Sequence, residues 1–205
     1  MANKKMKYYS IYLIVICTVI FAIQSFVLGF TDSFLLNSSL IAERPWTLIT
    51  SIFLHGSLSH LAFNMFALFM FGLLLERFIG SNKFLAVFFV SGLAASIASS
   101  FVYVSSLGAS GAIYGVIGAL AAIKPKMVVW TYGVPMPMVA AAGFYLLLDF
   151  AGLFYPTDIA NAAHIGGLVC GVVIGLAIRK PESKQEKVEK VLSDREFKDW
   201  EDQWM

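Results

Sequence analysis

The chain from residue 84 to residue 123 contains no Asp, Glu, Lys or Arg. A stretch that long without charge cannot cover a surface facing water; its natural solvent is hydrocarbon. The pattern extends over most of the sequence, which is 59% hydrophobic and 14% charged, where a soluble domain carries about 25% charged residues. The charges are also segregated, with seven of the 15 Lys and Arg at or beyond Arg179. The chain therefore reads as a polytopic, all-α membrane protein with one helical domain, because backbone in lipid must satisfy its own hydrogen bonds. No basic patch interleaved with aromatics marks a nucleic-acid partner. Cys17 and Cys170 lie within apolar runs and read as small buried hydrophobes.

Six spans are expected, over residues 8–30, 59–78, 83–104, 110–123, 136–154 and 161–178. The first is too long for the h-region of a signal peptide, about 7–15 residues, and reads as a retained span. Residues 31–58 read as a long loop with short interfacial helices anchored by Trp46. The fourth span is short, and short glycine-interrupted spans often stop within the membrane and face a cavity. Basic residues test the count. Lys4, Lys5, Lys7, Arg77, Lys83, Lys124, Lys126, Arg179 and Lys180 all fall on one side, against Arg44 alone on the other. By the positive-inside rule both termini are cytoplasmic. Residues 1–180 form the membrane domain and 181–205 a charged cytoplasmic tail. In that tail Ser193-Asp194-Arg195-Glu196 reads as a capping box before Phe197, Trp200 and Trp204, a short amphipathic helix.

Two glycine-rich helices stand out. Gly111, Gly115 and Gly118 follow Ser110, and Gly167, Gly171 and Gly175 recur below His164. Glycine inside a helix costs about 1 kcal/mol relative to alanine, and in membranes the compensating gain is close helix approach. Ser110 and His164 lie at the same outer depth. His60 and Asn64 share a helical face at that depth, and Tyr114 lies one turn below Ser110, placed to pack on the His164 ring. This is the composition of a nucleophile beside its base. His164 takes the serine proton and returns it to the leaving amine. The Ser110 backbone N–H, the Asn64 amide and His60 are suitable oxyanion donors. Taken singly, each residue has a plainer use: a serine back-bonded in a helix, a structural histidine, glycines for packing. The three histidines lack a carboxylate or thiolate at ligand spacing, so no metal or other cofactor is expected. Asp149, in the outer half of span five, either orients a histidine or hydrogen-bonds between helices, the latter being commoner. Glu76 and Arg77 read as an ion pair or a cap.

With these residues in order the chain resembles the rhomboid intramembrane serine proteases. The resemblance rests on Arg44-Pro45-Trp46-Thr47, on residues 55–65 with His55, His60 and Asn64, on Glu76, on Gly108-Ala109-Ser110-Gly111, and on Ala163-His164-Ile165-Gly166-Gly167 with Gly171. It implies a six-transmembrane-helix bundle with a short central fourth helix, in the minimal form lacking an extra soluble domain and a seventh span. It implies a Ser110–His164 dyad with no required acid, and His60 and Asn64 at the oxyanion hole. Tyr114 would pack on the base, with Gly108, Gly111, Gly167, Asn161 and His55 as supporting residues. Substrates would be single-pass transmembrane proteins, entering from the bilayer and cut near the outer face, with residues 136–161 forming a gate. An inactive relative that binds membrane helices would usually lack the Ser or the His. A transporter would show repeats and paired intramembrane charges.

Overall fold

The computed structural model describes residues 7–131, 133–155, 159–179 and 198. The expected tail helix around Ser193 lies outside the described residues, as do Lys4, Lys5 and Lys180. The fold is mostly helical. Four helical stretches are long and apolar enough to cross a bilayer: Tyr9–Phe26 (α1), Leu58–Ile79, Ser81–Ser100 (α6) and Asn161–Ile178 (α9). The second is α4 (Leu58–Ala67) and α5 (Leu73–Ile79) joined by a π-helical turn over Leu68–Gly72. Two further apolar helices, α7 (Ser110–Ile123) and α8 (Met138–Gly152), have 14 and 15 residues. At 1.5 Å per residue they reach about 21–23 Å, short of a hydrocarbon layer of about 30 Å. Exposed apolar side chains such as Phe63, Phe66, Leu147 and Val173 point outward from the bundle, where lipid is the solvent that suits them.

The chain between α1 and α4 is compactly folded. It carries the short helices α2 (Phe30–Phe34) and α3 (Thr47–Thr50). Three features depart from the sequence reading. Leu36–Asn37 (β1) pairs antiparallel with Ser105–Ser106 (β2), and the third span stops at Ser100 rather than at residue 104. The chain after α6 is drawn off by the loop, with the Ser38 N–H donating to the Val104 carbonyl at 2.9 Å. Between α7 and α8 a hairpin joins Val128–Thr131 (β3) to Val134–Pro137 (β4). Its local signal is a β-branched and aromatic run, Val128-Val129-Trp130-Thr131, followed after two residues by a second extended run. Gly133 supplies the turn's positive φ of 78°.

At one end of the bundle Glu76 organises the start of α1. One carboxylate oxygen accepts the Tyr9 N–H at 2.9 Å, and the other accepts the Ser10 N–H and hydroxyl at 3.0 and 2.8 Å. A fully buried carboxylate is costly unless hydrogen-bonded, and the first N–H groups of a helix are orphans without a cap. Each group supplies what the other lacks. Glu76 is thus a cap. The Lys7 N–H donates to Ser81 Oγ and the Lys124 ammonium lies over the Phe78 ring, so basic residues gather at this end.

The centre is α7. Eleven of its 14 residues are buried, which is why its sequence can be apolar on every face. Its glycines meet those of α9. A Cβ on Gly167 would overlap the Gly111 carbonyl oxygen, and one on Gly171 the Gly115 carbonyl oxygen. Gly118 is closed in by the Leu168 carbonyl. On its other side α7 meets α6, where Gly111 and Gly115 face Ala95 and Ser91. Backbone contact of this closeness exists only because neither helix has side chains at these positions.

Candidate active site

Opposite the Glu76 end, the first turns of α4, α7 and α9 and the last turn of α8 come together. Each contributes to the cluster. Ser110 opens α7, His164 lies in the first turn of α9, His60 in the first turn of α4, and Asp149 near the end of α8. The glycine seam, which begins at Gly111 and Gly167 beside the site, sets the α7–α9 separation, and that separation decides whether Ser110 and His164 can touch. They do: His164 Nε2 lies 2.9 Å from Ser110 Oγ. Tyr114 stacks on the His164 ring with centroids 4.1 Å apart and an interplanar angle of 14°, as the one-turn spacing from Ser110 anticipated. His164 is 8% exposed, so its hydrogen bonds act in a medium of low dielectric, where they are stronger than in water.

The other ring nitrogen, Nδ1, lies 2.7 Å from Asp149 Oδ1. The helix-to-helix hydrogen bond left open for Asp149 by the sequence is present: it ties α8 to α9, and its partner is the histidine. The fifteen-residue separation crosses a helix end and a loop, so no periodicity announces the pairing.

Gly108 shapes the approach to Ser110. Its φ is 125°, and a Cβ there would come within 2.8 and 2.9 Å of His60 Cε1 and Nε2. Only glycine allows the backbone to pass under the His60 ring in this conformation. Its N–H donates to the Ser51 carbonyl at 2.9 Å, pinning the turn that aims α7. The residue before α7 provides no side-chain cap, and Ser110 sits at the N-terminal, positive end of the helix dipole. A small cavity of about 20 Å³ lies behind Ser110, lined in part by the polar Ser51, Ser96 and Ser106. That is room for one water molecule.

Asn64 is buried and donates one amide hydrogen to the His60 carbonyl at 2.9 Å, which leaves the second for another acceptor. Asn161 opens α9, with its amide donating to the Ile159 carbonyl at 3.2 Å. Gly152 of α8 faces the Asn161 side chain at a distance that leaves no room for a Cβ. Among the described residues no group of three His, Cys, Asp or Glu is arranged to hold a metal ion.

His55 sits just before α4, buried, its ring edge-on to His60 with centroids 5.2 Å apart. Its backbone is clamped by Gln24 of α1, whose amide oxygen accepts the His55 N–H at 3.0 Å and whose NH2 donates to the His55 carbonyl at 3.3 Å. Sequence reasoning passed over Gln24. Its one signal was a polar amide within an apolar span. Burial, and then the neighbouring His60, hold the His55 imidazole low, at about 4. The folded value lies below the unfolded 6.5, so protons bind the unfolded chain better. This contribution is complete above about pH 6.5 and is lost as pH falls toward 4; it amounts to about 3 kcal/mol. Thermal unfolding in detergent should show Tm falling across that window in the wild type. In His55→Gln the fall should be smaller.

The rhomboid domain family matches residues 42–181. The chain is similar to Rhomboid protease GluP of Bacillus subtilis (strain 168), 38% identical over 153 residues that cover 72% of this chain and 29% of that protein. It is similar to Rhomboid protease AarA of Providencia stuartii, 32% identical over 64% of this chain and 55% of that protein. Rhomboid protease GlpG of Haemophilus influenzae is 28% identical over 78% of this chain and 85% of that protein. The chain thus spans between about a third and a half of the length of several relatives it matches.

Proposed function

The chain belongs to the rhomboid family, and we propose that it is an intramembrane serine endopeptidase in which Ser110 is the nucleophile and His164 its base. The observation that carries this reading is the 2.9 Å contact between His164 Nε2 and Ser110 Oγ at one end of a multi-pass membrane protein. In the proposed reaction Nε2 takes the hydroxyl proton as Oγ attacks the scissile carbonyl carbon. The tetrahedral intermediate places its negative charge toward the start of α7. There the Ser110 backbone N–H, the second Asn64 amide hydrogen and His60 are the candidate donors. His164 then gives its proton to the leaving amine, the C–N bond breaks, and an acyl-enzyme remains. A water molecule, activated by the same imidazole, hydrolyses the ester and returns the serine.

The substrates proposed are single-pass transmembrane proteins cut near the outer membrane face. Residues 1–180 would form a six-span domain in which α7 is the short central span and α8 the fifth. Both termini would then be cytoplasmic and the site would open to the exterior, the orientation favoured by the basic residues near Glu76. Gly108, Gly111 and Gly167 serve close backbone approach in this scheme, Tyr114 the orientation of the base, and Asn161 and His55 the surrounding scaffold.

The deciding experiment is labelling by a fluorophosphonate probe together with cleavage of a panel of single-pass substrates in liposomes. Labelling and cleavage by the wild type, both absent in Ser110→Ala, support the proposal. Folded wild-type protein that neither labels nor cleaves would instead be a helix binder or a carrier.

A further inference from the structure

The geometry points to Asp149 as a positioning residue that holds His164 in its base-competent tautomer and stabilises the imidazolium formed during catalysis. This rests on the protease reading above. It adds a third member to an arrangement that the family resemblance describes as a dyad.

Three observations carry it. Asp149 Oδ1 is 2.7 Å from His164 Nδ1, while Nε2 of the same ring is 2.9 Å from Ser110 Oγ. A neutral imidazole has one N–H. A carboxylate accepts only, so the proton belongs on Nδ1, and the Nε2 lone pair is left facing the serine hydroxyl. Second, Asp149 is 4% exposed and its other oxygen, Oδ2, is buried without a partner. Among the described residues His164 is the ion-pair partner this carboxylate has. A buried, half-satisfied carboxylate gains when its neighbour becomes a cation, and in the proposed reaction that happens when Ser110 gives up its proton. The gain therefore falls on the transition state rather than on the resting enzyme. Third, the Tyr114 ring fixes the plane of the imidazole but does not prevent a flip of the ring within that plane's stack. Hydrogen bonds at both nitrogens do.

A merely structural role is the competing account, since Asp149 also links α8 to α9. The two accounts rank substitutions in opposite orders. Asparagine nearly preserves the shape and can still hydrogen-bond, so a structural tie survives it better than leucine. For a tautomer-holding role asparagine is the worse change when its NH2 faces Nδ1, because that donor drives the proton onto Nε2, whereas an amide turned with its oxygen to Nδ1 keeps the tautomer. In soluble serine proteases the same Asp-to-Asn exchange costs about 10⁴-fold in kcat. We expect Asp149→Asn to lower kcat by at least about 10³-fold with KM within a factor of about two and Tm close to wild type. Fluorophosphonate labelling of Ser110 should slow in parallel. Asp149→Leu should retain more labelling than Asp149→Asn. In ¹⁵N-histidine spectra the His164 proton should move from Nδ1 to Nε2 in Asp149→Asn. Should Asp149→Leu fail to fold, the kcat–KM split and the tautomer in Asp149→Asn decide alone. Asp149→Asn within about threefold of wild type with the His164 proton on Nε2, or a folded Asp149→Leu or Asp149→Ala at wild-type kcat, would overturn the role of Asp149 and leave the protease reading standing. A wild type that neither cleaves nor labels would remove both.

Discussion

Under the proposed protease reading, alanine at Ser110 is expected to lower kcat on a single-pass test substrate by about 10⁶-fold, and alanine at His164 by a similar factor. The double variant should be no worse than either single one. The reason is that the serine hydroxyl is a poor nucleophile until its proton has somewhere to go, and the imidazole has no task without the hydroxyl. In the proposed reaction their 2.9 Å contact couples the two roles, so the losses are expected not to add. The two variants differ in stability. Ser110→Ala removes one oxygen at a half-exposed position and should melt like the wild type. His164→Ala removes the ring stacked on Tyr114 and leaves Asp149 as a buried acid with neither oxygen paired. It should cost about 1–3 kcal/mol. Kinetics on purified protein, with Tm measured on the same samples, separates the two effects. A Ser110→Ala variant that cleaves at more than about a hundredth of the wild-type rate would end the assignment of this serine.

Helices were legible wherever a physical period or a breaker marked them. Ser110–Ile123 and Asn161–Ile178 run between the residues expected, because Gly108 and Pro125 end the first and apolar character is unbroken in the second. The four-residue glycine spacing announced the α7–α9 seam. Convergence of Ser110, His164, His60 and Tyr114 followed from placing the starts of three helices at one depth. What the sequence did not expose depends on partners far along the chain. The β1–β2 pairing joins Leu36 to Ser106, and two-residue strands have no period to read. The Asp149–His164 contact has the same character: a carboxylate near the end of one helix finds an imidazole in the first turn of the next only once the intervening loop has chosen its path. Gln24, bonded to the backbone of His55 across 31 residues, is a third case. Packing faces are written locally, whereas hydrogen-bond partners are selected globally.

The seam that brings the site together also sets its tolerance. A methyl group at Gly171 would overlap the Gly115 carbonyl oxygen and lie 2.6 Å from the Gly115 carbonyl carbon and Cα. No rotamer relieves a clash between a Cβ and backbone, so α7 and α9 must move apart along the seam. Overpacking a core by one or two carbons usually costs about 1–3 kcal/mol, sometimes more. Here the obstacle is main chain on both sides, so Gly171→Ala is expected at or above about 3 kcal/mol. The displacement also reaches the site. Ser110 and His164 are carried on the same two helices, and a shift of about 1 Å in a reacting pair can cost about 10²-fold in rate. Gly171→Ala should therefore lose Tm and labelling of Ser110 together, and Gly167→Ala, aimed at the carbonyl of Gly111 next to Ser110, should lose more labelling for its loss of Tm. Gly143 in α8 is the control. Its Cβ would meet nothing within 4 Å, so Gly143→Ala should leave labelling unchanged and Tm unchanged or slightly raised. If Gly171→Ala melts and labels like the wild type, the two helices do not approach at backbone contact. The 2.9 Å bond between hydroxyl and imidazole would then need some other cause.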